Sequence, residues 1–274
     1  MARKILLASG CSYTDAKYKS SDPDIERDWP MWPELMANEL GLRCVNVGSS
    51  GQGADYILNS IIDQIAIYGD RIDTVAILWT TGDRVPFFNF TLNPLVECNP
   101  VVAGGNQEGY DPFPWLDNIG VGRVSQKYFN SEYFMKDEVY KHMILNTIRK
   151  MFVVIQMCES LNIKFIMYQG LTYFDFYSIQ MLVETGSINK ICYITSSEVI
   201  KILTKSPVFA ALEKRKNNII GWPFLPEIGG YNFDGLRHGN EDYYISEKDK
   251  HPSKLGQEML ADTFIERYKA VYNE

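Results

Sequence analysis

The chain has 274 residues, a formal net charge of −7, a sequence pI near 5.1 and 46% hydrophobic residues. The acidic balance argues against a general affinity for nucleic acid or anionic lipid, and no apolar run approaches the ~20 residues that cross a bilayer. A chain of this length buries a substantial core, and one domain over residues 1–274 is the expected organisation.

The first predicted element is the apolar run Ile5–Ala8, a buried strand that stops at Gly10 and is followed by Cys11 and Ser12. Arg3-Lys4 ahead of Ala8-Ser-Gly-Cys11 superficially matches a lipoprotein cleavage site. The apolar stretch is too short for the ~7–15 residues of a signal h-region, so no signal peptide is expected. Next come the alternating acids Asp22, Asp24, Glu26 and Asp28, without the glycine and closing Glu of a calcium loop, read as a solvated loop. Trp32–Leu40 is amphipathic and ends at Gly41, a good residue just past a helix. Cys44–Val47 reads as a second strand, Asp55–Tyr68 as a helix with Ile57, Leu58, Ile61, Ile62 and Ile65 on one face, and Val75–Trp79 as a third strand.

The rhythm breaks from Arg84 to Phe134, an insertion rich in Asn, Pro, Gly and aromatics, among them Phe87, Phe88 and Trp115. Its place after a strand puts it at the carboxyl edge of the sheet, and loops this long are usually functional or disordered. Val139–Leu161 is the longest periodic helix, Ile163–Tyr168 a fourth strand, Leu171–Ser206 a second irregular region, and Ile219–Trp222 a weaker fifth strand. The last helix starts near Ser253, an N-cap residue, and carries Leu260, Phe264, Tyr268 and Val271 on one stripe. Strands alternating with helices predict parallel pairing in a three-layer α/β/α sandwich.

Cys11, Cys44, Cys98, Cys158 and Cys192 are odd in number, widely spaced and without a CxxC pair, which favours a reduced compartment and gives no zinc signature. Neither a metal nor a cofactor is expected. The expected location is cytoplasmic, or virion-associated if the chain is phage-encoded.

Ligands in open α/β sheets bind beyond the carboxyl ends of the strands, where Ser12 would serve as a nucleophile. The competing reading of Gly10-Cys11-Ser12 is a tight turn whose serine caps a helix. Cys11 is a rival nucleophile, read here as a buried packing residue because the neighbour of a nucleophile in a sharp turn points elsewhere. Asn46-Val-Gly48-Ser-Ser-Gly51 lets the backbone approach a ligand and offers N–H groups to an oxyanion. Thr80 and Thr81, at the end of the third strand, are further oxyanion donors by position or simply a polar strand terminus. Of the three histidines, His251 follows Asp249 by two residues, and that carboxylate can orient its imidazole. A surface histidine is the competing reading; His142 and His238 are weaker candidates for a base.

Together these blocks resemble the SGNH (GDSL-like) hydrolase superfamily, in order and over nearly the whole chain. Gly10-Cys11-Ser12 is similar to the first block, G-D-S, with Cys11 in place of the aspartate. Asn46 to Gly51 is similar to the second block, and Asp249-Lys-His251-Pro-Ser to the last, usually D-x-x-H. The Trp-Pro pairs before the first helix and Gly256 also fit, and the Gly-Cys-Ser-Tyr-Thr wording looks like divergent bacteriophage and bacterial members. The third block departs: G-x-N-D is replaced by Thr80-Thr-Gly82-Asp83, so its asparagine is absent.

The resemblance implies a parallel, flavodoxin-like five-stranded sheet and ester hydrolysis through an acyl-enzyme. It casts Ser12 as nucleophile, His251 as base and Asp249 as its orienting acid, with the N–H groups of Ser12 and Gly51 binding the oxyanion. Thr80 or Thr81 stands in for the asparagine. The implied substrate is a small-molecule or glycan ester, an O-acetyl carbohydrate if Phe87, Phe88 and Trp115 stack on sugar rings; a self-packing lid is the competing reading of those aromatics. The other class is an SGNH-fold protein with weakened or lost catalysis, used for binding or assembly. The sequence sets no oligomeric state.

Overall fold

A computed structural model of the chain describes residues 3–82, 86–87, 101–102, 137–173 and 196–272. Its centre is a five-stranded parallel sheet built from β1 (Ile5–Gly10), β2 (Arg43–Asn46), β3 (Ile72–Trp79), β4 (Lys164–Gln169) and β5 (Ile219–Ile220). The spatial order is β2-β1-β3-β4-β5, the flavodoxin-like arrangement. The apolar runs become strands because both faces are covered. Along β1, Leu6 and Ala8 enter one core while Ile5 and Leu7 enter the other, all at most 1% exposed.

The first core is closed by α2 (Ala54–Tyr68), α3 (Asp137–Ser160), α4 (Ser196–Thr204) and α5 (Pro207–Glu213). On the opposite face, α1 (Trp32–Glu39) and α7 (Lys254–Tyr272) pack against each other and the sheet. There Trp32 stacks on Phe264 at 4.2 Å with 6° between the ring planes. A one-turn helix, α6 (Phe233–Arg237), adds Phe233 to that core. The fold is thus a three-layer α/β/α sandwich.

Helix ends follow the sequence signals. Gly41 takes a left-handed φ of +66° past α1, where its N–H and that of Leu42 cap Asn38 and Ala37 carbonyls. Ser253 Oγ accepts the Gly256 N–H at 3.2 Å at the start of α7.

One competing reading and two expectations need correction. No helix follows Ser12: the chain turns at Cys11–Thr14, with the Thr14 and Asp15 N–H groups on the Cys11 carbonyl, and runs irregularly to α1. The 171–206 region is not irregular throughout, since α4 occupies Ser196–Thr204 and buries Val199 and Leu203. Asp22 is not solvated but 7% exposed; Asp24, Glu26 and Asp28 are exposed. Within the aromatic insertion, Pro86–Phe87 pairs antiparallel with Val101–Val102. Phe88 and Trp115, and the side chain of Phe87, lie outside the described residues. No helix among the described residues is long and apolar enough to cross a membrane.

Candidate active site

The connection after β1 crosses to one face of the sheet through α1, and the connection after β2 crosses to the other through α2. The carboxyl ends of β1 and β3 therefore border the crevice where such sheets bind ligands. Gly10 pairs with Leu78 at that edge, so Ser12 and Thr80 each stand two residues past the same paired step.

Ser12 is held there by packing that leaves no room for larger neighbours. A Cβ on Gly10 or Gly48 would collide with Thr14. Thr14 is itself fixed by Trp32 Nε1, which donates to its Oγ1 at 3.2 Å, and by Asn46 Nδ2, which donates to its carbonyl at 2.7 Å. Gln257 of α7 donates to the Tyr13 carbonyl and accepts the Trp32 N–H at 2.9 Å, so the turn, α1 and α7 share one buried side chain. Cys11 is fully buried.

The loop before α7 brings His251 to this turn. His251 Nε2 lies 2.9 Å from Ser12 Oγ, and His251 Nδ1 lies 2.6 Å from Asp249 Oδ1. Asp249 Oδ1 also accepts the His251 backbone N–H at 3.0 Å, a local bond that the two-residue spacing permits. Asp249 Oδ2 accepts three more donors: Tyr18 Oη at 2.8 Å, Ser20 Oγ at 2.8 Å and the Ser21 N–H at 3.0 Å. Burial of Asp249 opposes its ionisation. The bonds from the His251 side chain and backbone and from Ser20 outweigh it, holding the carboxyl well below the usual range. A carboxylate with five donors stabilises the Nδ1–H tautomer of His251 and turns the Nε2 lone pair toward Ser12.

Tyr18 does more than donate. Its ring stacks on the imidazole with centroids 4.0 Å apart and 29° between planes, and its oxygen is 2.7 Å from His251 Nδ1. Tyr13 meets the imidazole edge-on at 5.4 Å.

The second loop approaches Ser12 from β2. Asp15 Oδ2 accepts both the Ser50 N–H at 2.9 Å and Ser50 Oγ at 2.6 Å, fixing the residue before Gly51. Gly51 has φ +75°, a left-handed conformation that favours glycine. Neither the Ser12 N–H nor the Gly51 N–H has an acceptor among the described residues. At β3, Thr80 is fully buried and its Oγ1 has no hydrogen-bond partner among the described residues, while Gln169 Nε2 holds its carbonyl at 2.7 Å. Thr81 is half-buried.

Ser12, Asp249 and His251 are thus brought together. His142 is exposed on α3, and His238 follows α6. Among the described residues no three His, Cys, Asp or Glu side chains group as a metal site. Sequence reasoning missed Tyr18, Ser20, Ser21, Asp15 and Gln257. The one signal was their place in a polar, aromatic stretch directly after Ser12, or, for Gln257, a polar residue on the first turn of an otherwise apolar helix face.

No family model matches the chain, and no curated protein matches it. It is similar in structure to an acetylxylan esterase from Geobacillus stearothermophilus, at 16% identity, covering 97% of this chain and 94% of that one with a TM-score of 0.43. A psychrotrophic esterase from Pseudoalteromonas sp. is similar at 11% identity over 99% and 100% of the two chains, with a TM-score of 0.46. A protein described as TesA is similar at 12% identity over 98% and 99%, with a TM-score of 0.48.

Proposed function

We propose that the chain is a serine esterase working through an acyl-enzyme. The observation that carries this reading is the unbroken line Asp249 Oδ1–His251 Nδ1 and His251 Nε2–Ser12 Oγ, at 2.6 and 2.9 Å, on the carboxyl edge of the sheet. In the first half-reaction His251 Nε2 takes the Ser12 hydroxyl proton as Oγ attacks the ester carbonyl carbon. The C=O electrons move onto oxygen, facing the Ser12 and Gly51 N–H groups. Collapse expels the alcohol oxygen, which receives the proton from Nε2. In the second half, His251 deprotonates a water, which attacks the acyl carbon and releases the acid and free Ser12. Asp249 stays ionised throughout and stabilises the transient imidazolium.

The substrate is proposed to be a small-molecule or glycan ester, with Phe87, Phe88 and Trp115 as candidate ring-stacking contacts. Thr80 and Thr81, in place of a side-chain amide, favour a second reading in which the same fold binds but turns over poorly. Labelling with a fluorophosphonate probe separates the two. An adduct mapped to Ser12 by mass spectrometry and lost in Ser12→Ala supports the esterase, and an unlabelled parent chain supports the binding protein.

A further inference from the structure

We propose that Tyr18 is a positioning residue for the general base, holding the Asp249 carboxylate and the His251 ring in one arrangement; this rests on the esterase reading above. Tyr18 is 9% exposed and comes from the irregular strap between Ser12 and α1. Burial first, then the bond to Asp249 and its charge, hold its phenol far above the ordinary range, so it remains a donor. With the phenolic proton on Asp249 Oδ2, the oxygen lone pairs are left facing His251 Nδ1–H, which is shared with Asp249 Oδ1.

The two contacts act on different degrees of freedom. The hydroxyl closes a three-membered ring of hydrogen bonds: Tyr18 donates to Asp249 Oδ2, and His251 Nδ1–H is shared between Asp249 Oδ1 and the Tyr18 oxygen. That ring resists rotation of the carboxylate about its own axis. The stacked face, at 4.0 Å, resists tilting of the imidazole away from Ser12 and covers it from water. When the imidazole takes the serine proton, the aromatic face lies over a cation, an interaction stronger in the transition state than in the resting enzyme. Both contacts therefore act on kcat and leave substrate affinity alone. Ser20 and the Ser21 N–H anchor the same strap on Asp249 Oδ2, so the phenol is delivered by a segment already tied to its target.

The test uses the full chain with p-nitrophenyl acetate turnover, fluorophosphonate labelling rate and the low-field proton NMR signal of His251 Nδ1–H. Tyr18→Phe keeps the stack and removes the hydroxyl: kcat falls about 10-fold with KM unchanged, and the low-field signal persists. Tyr18→Leu removes both: kcat falls about 100-fold, the labelling rate falls with it, and the signal broadens away as the ring opens to water. Unchanged kcat in Tyr18→Phe, or a loss confined to KM, overturns the proposal, and Tyr18→Phe decides alone if Tyr18→Leu does not fold. If the parent chain resists the probe, the esterase reading falls separately. The NMR signal then judges Tyr18: its persistence in Tyr18→Leu overturns the inference, and its loss supports it.

Discussion

His251 Nε2 stands 2.9 Å from Ser12 Oγ across 239 residues of sequence. The contact forms because the turn after β1 and the loop before α7 meet at one edge of the sheet, tied together by Gln257 between the Tyr13 carbonyl and the Trp32 N–H. On the proposed esterase reading, removing the Ser12 oxygen removes the nucleophile. Ser12→Ala should lower p-nitrophenyl acetate hydrolysis by about 10³-fold or more, without a change in the unfolding midpoint. Cys11→Ala, in the buried neighbour, should leave turnover within about threefold and instead lower stability by roughly 1 kcal/mol through lost packing. Transfer of the activity loss to Cys11→Ala would name the thiol as nucleophile.

Asp249 supplies a prediction with a pH signature. Its carboxyl is held below the usual range in the folded chain, so the folded state favours the ionised form more than the unfolded state does. The sign follows: this stabilisation is complete above the unfolded carboxylate pKa of about 4 and is lost as pH falls below it toward the folded value. Asp249→Asn should flatten the loss of melting temperature on acidification below about pH 4. It should also cut kcat by about 10²–10⁴-fold at neutral pH, because an amide orients the imidazole wrongly. Parallel acid-melting curves for parent and variant would contradict the assignment.

Much of this was legible in the sequence, and the reasons are local. Ile5–Ala8 and Val75–Trp79 read as strands because both their faces are buried, leaving continuous apolar runs. Asp249 and His251 are linked by a backbone bond spanning two residues, so their spacing carries part of the geometry. The strap at residues 18–21 was not legible. Its bonds to Asp249 span 228 to 231 residues, and it has neither helical nor strand period to mark it. Asp22 looked solvated for the same reason: nothing in its alternating acidic neighbours distinguishes the one that packs inward. The helix Ser196–Thr204 was hidden by its shortness, with only Val199 and Leu203 fully buried and Ile200 and Ile202 partly buried beside them.

Asp15 fixes Ser50 through two hydrogen bonds, and Ser50 precedes the left-handed Gly51. If the Gly51 N–H serves the oxyanion, loosening this loop weakens transition-state binding without touching the base. Asp15→Ala should reduce kcat by about 10–100-fold, below the full cost of deleting an oxyanion donor, with KM little changed. Steady-state kinetics on the purified variant check this, and an unaltered kcat would remove Gly51 from the oxyanion hole.

Thr80 is a sharper case, because its hydroxyl is buried and unpartnered among the described residues. A role as an oxyanion donor requires this hydroxyl to gain a partner only when substrate binds, and substitution tests that requirement directly. Thr80→Val conserves shape and removes the donor. The expected result is a gain or no change in stability with kcat reduced by about 10²-fold. A stabilised variant with full activity would show the hydroxyl to be idle and leave Thr81 as the remaining third donor.

Arg237 extends the argument to what holds the site rigid. Its side chain is 3% exposed, donates from Nε to Asp234 Oδ1 at 3.0 Å, and bonds the Tyr13 hydroxyl. Its guanidinium also lies over the rings of Tyr13, Phe233 and Tyr244, at 4.6, 5.3 and 4.6 Å. Tyr13 follows the serine, and Tyr244 bridges to Pro252 beside the histidine, so one cation clamps both halves of the site. Arg237→Ala removes the clamp and leaves Asp234 Oδ1 with the Tyr13 hydroxyl, at 3.0 Å, as its remaining side-chain donor, which should cost about 3 kcal/mol in denaturant unfolding. Removing both charges in Arg237→Ala/Asp234→Ala should cost less than the sum of the single variants, since each single change breaks the same ion pair. Additive losses would mean that the pair is not coupled and that the aromatic contacts alone carry the clamp.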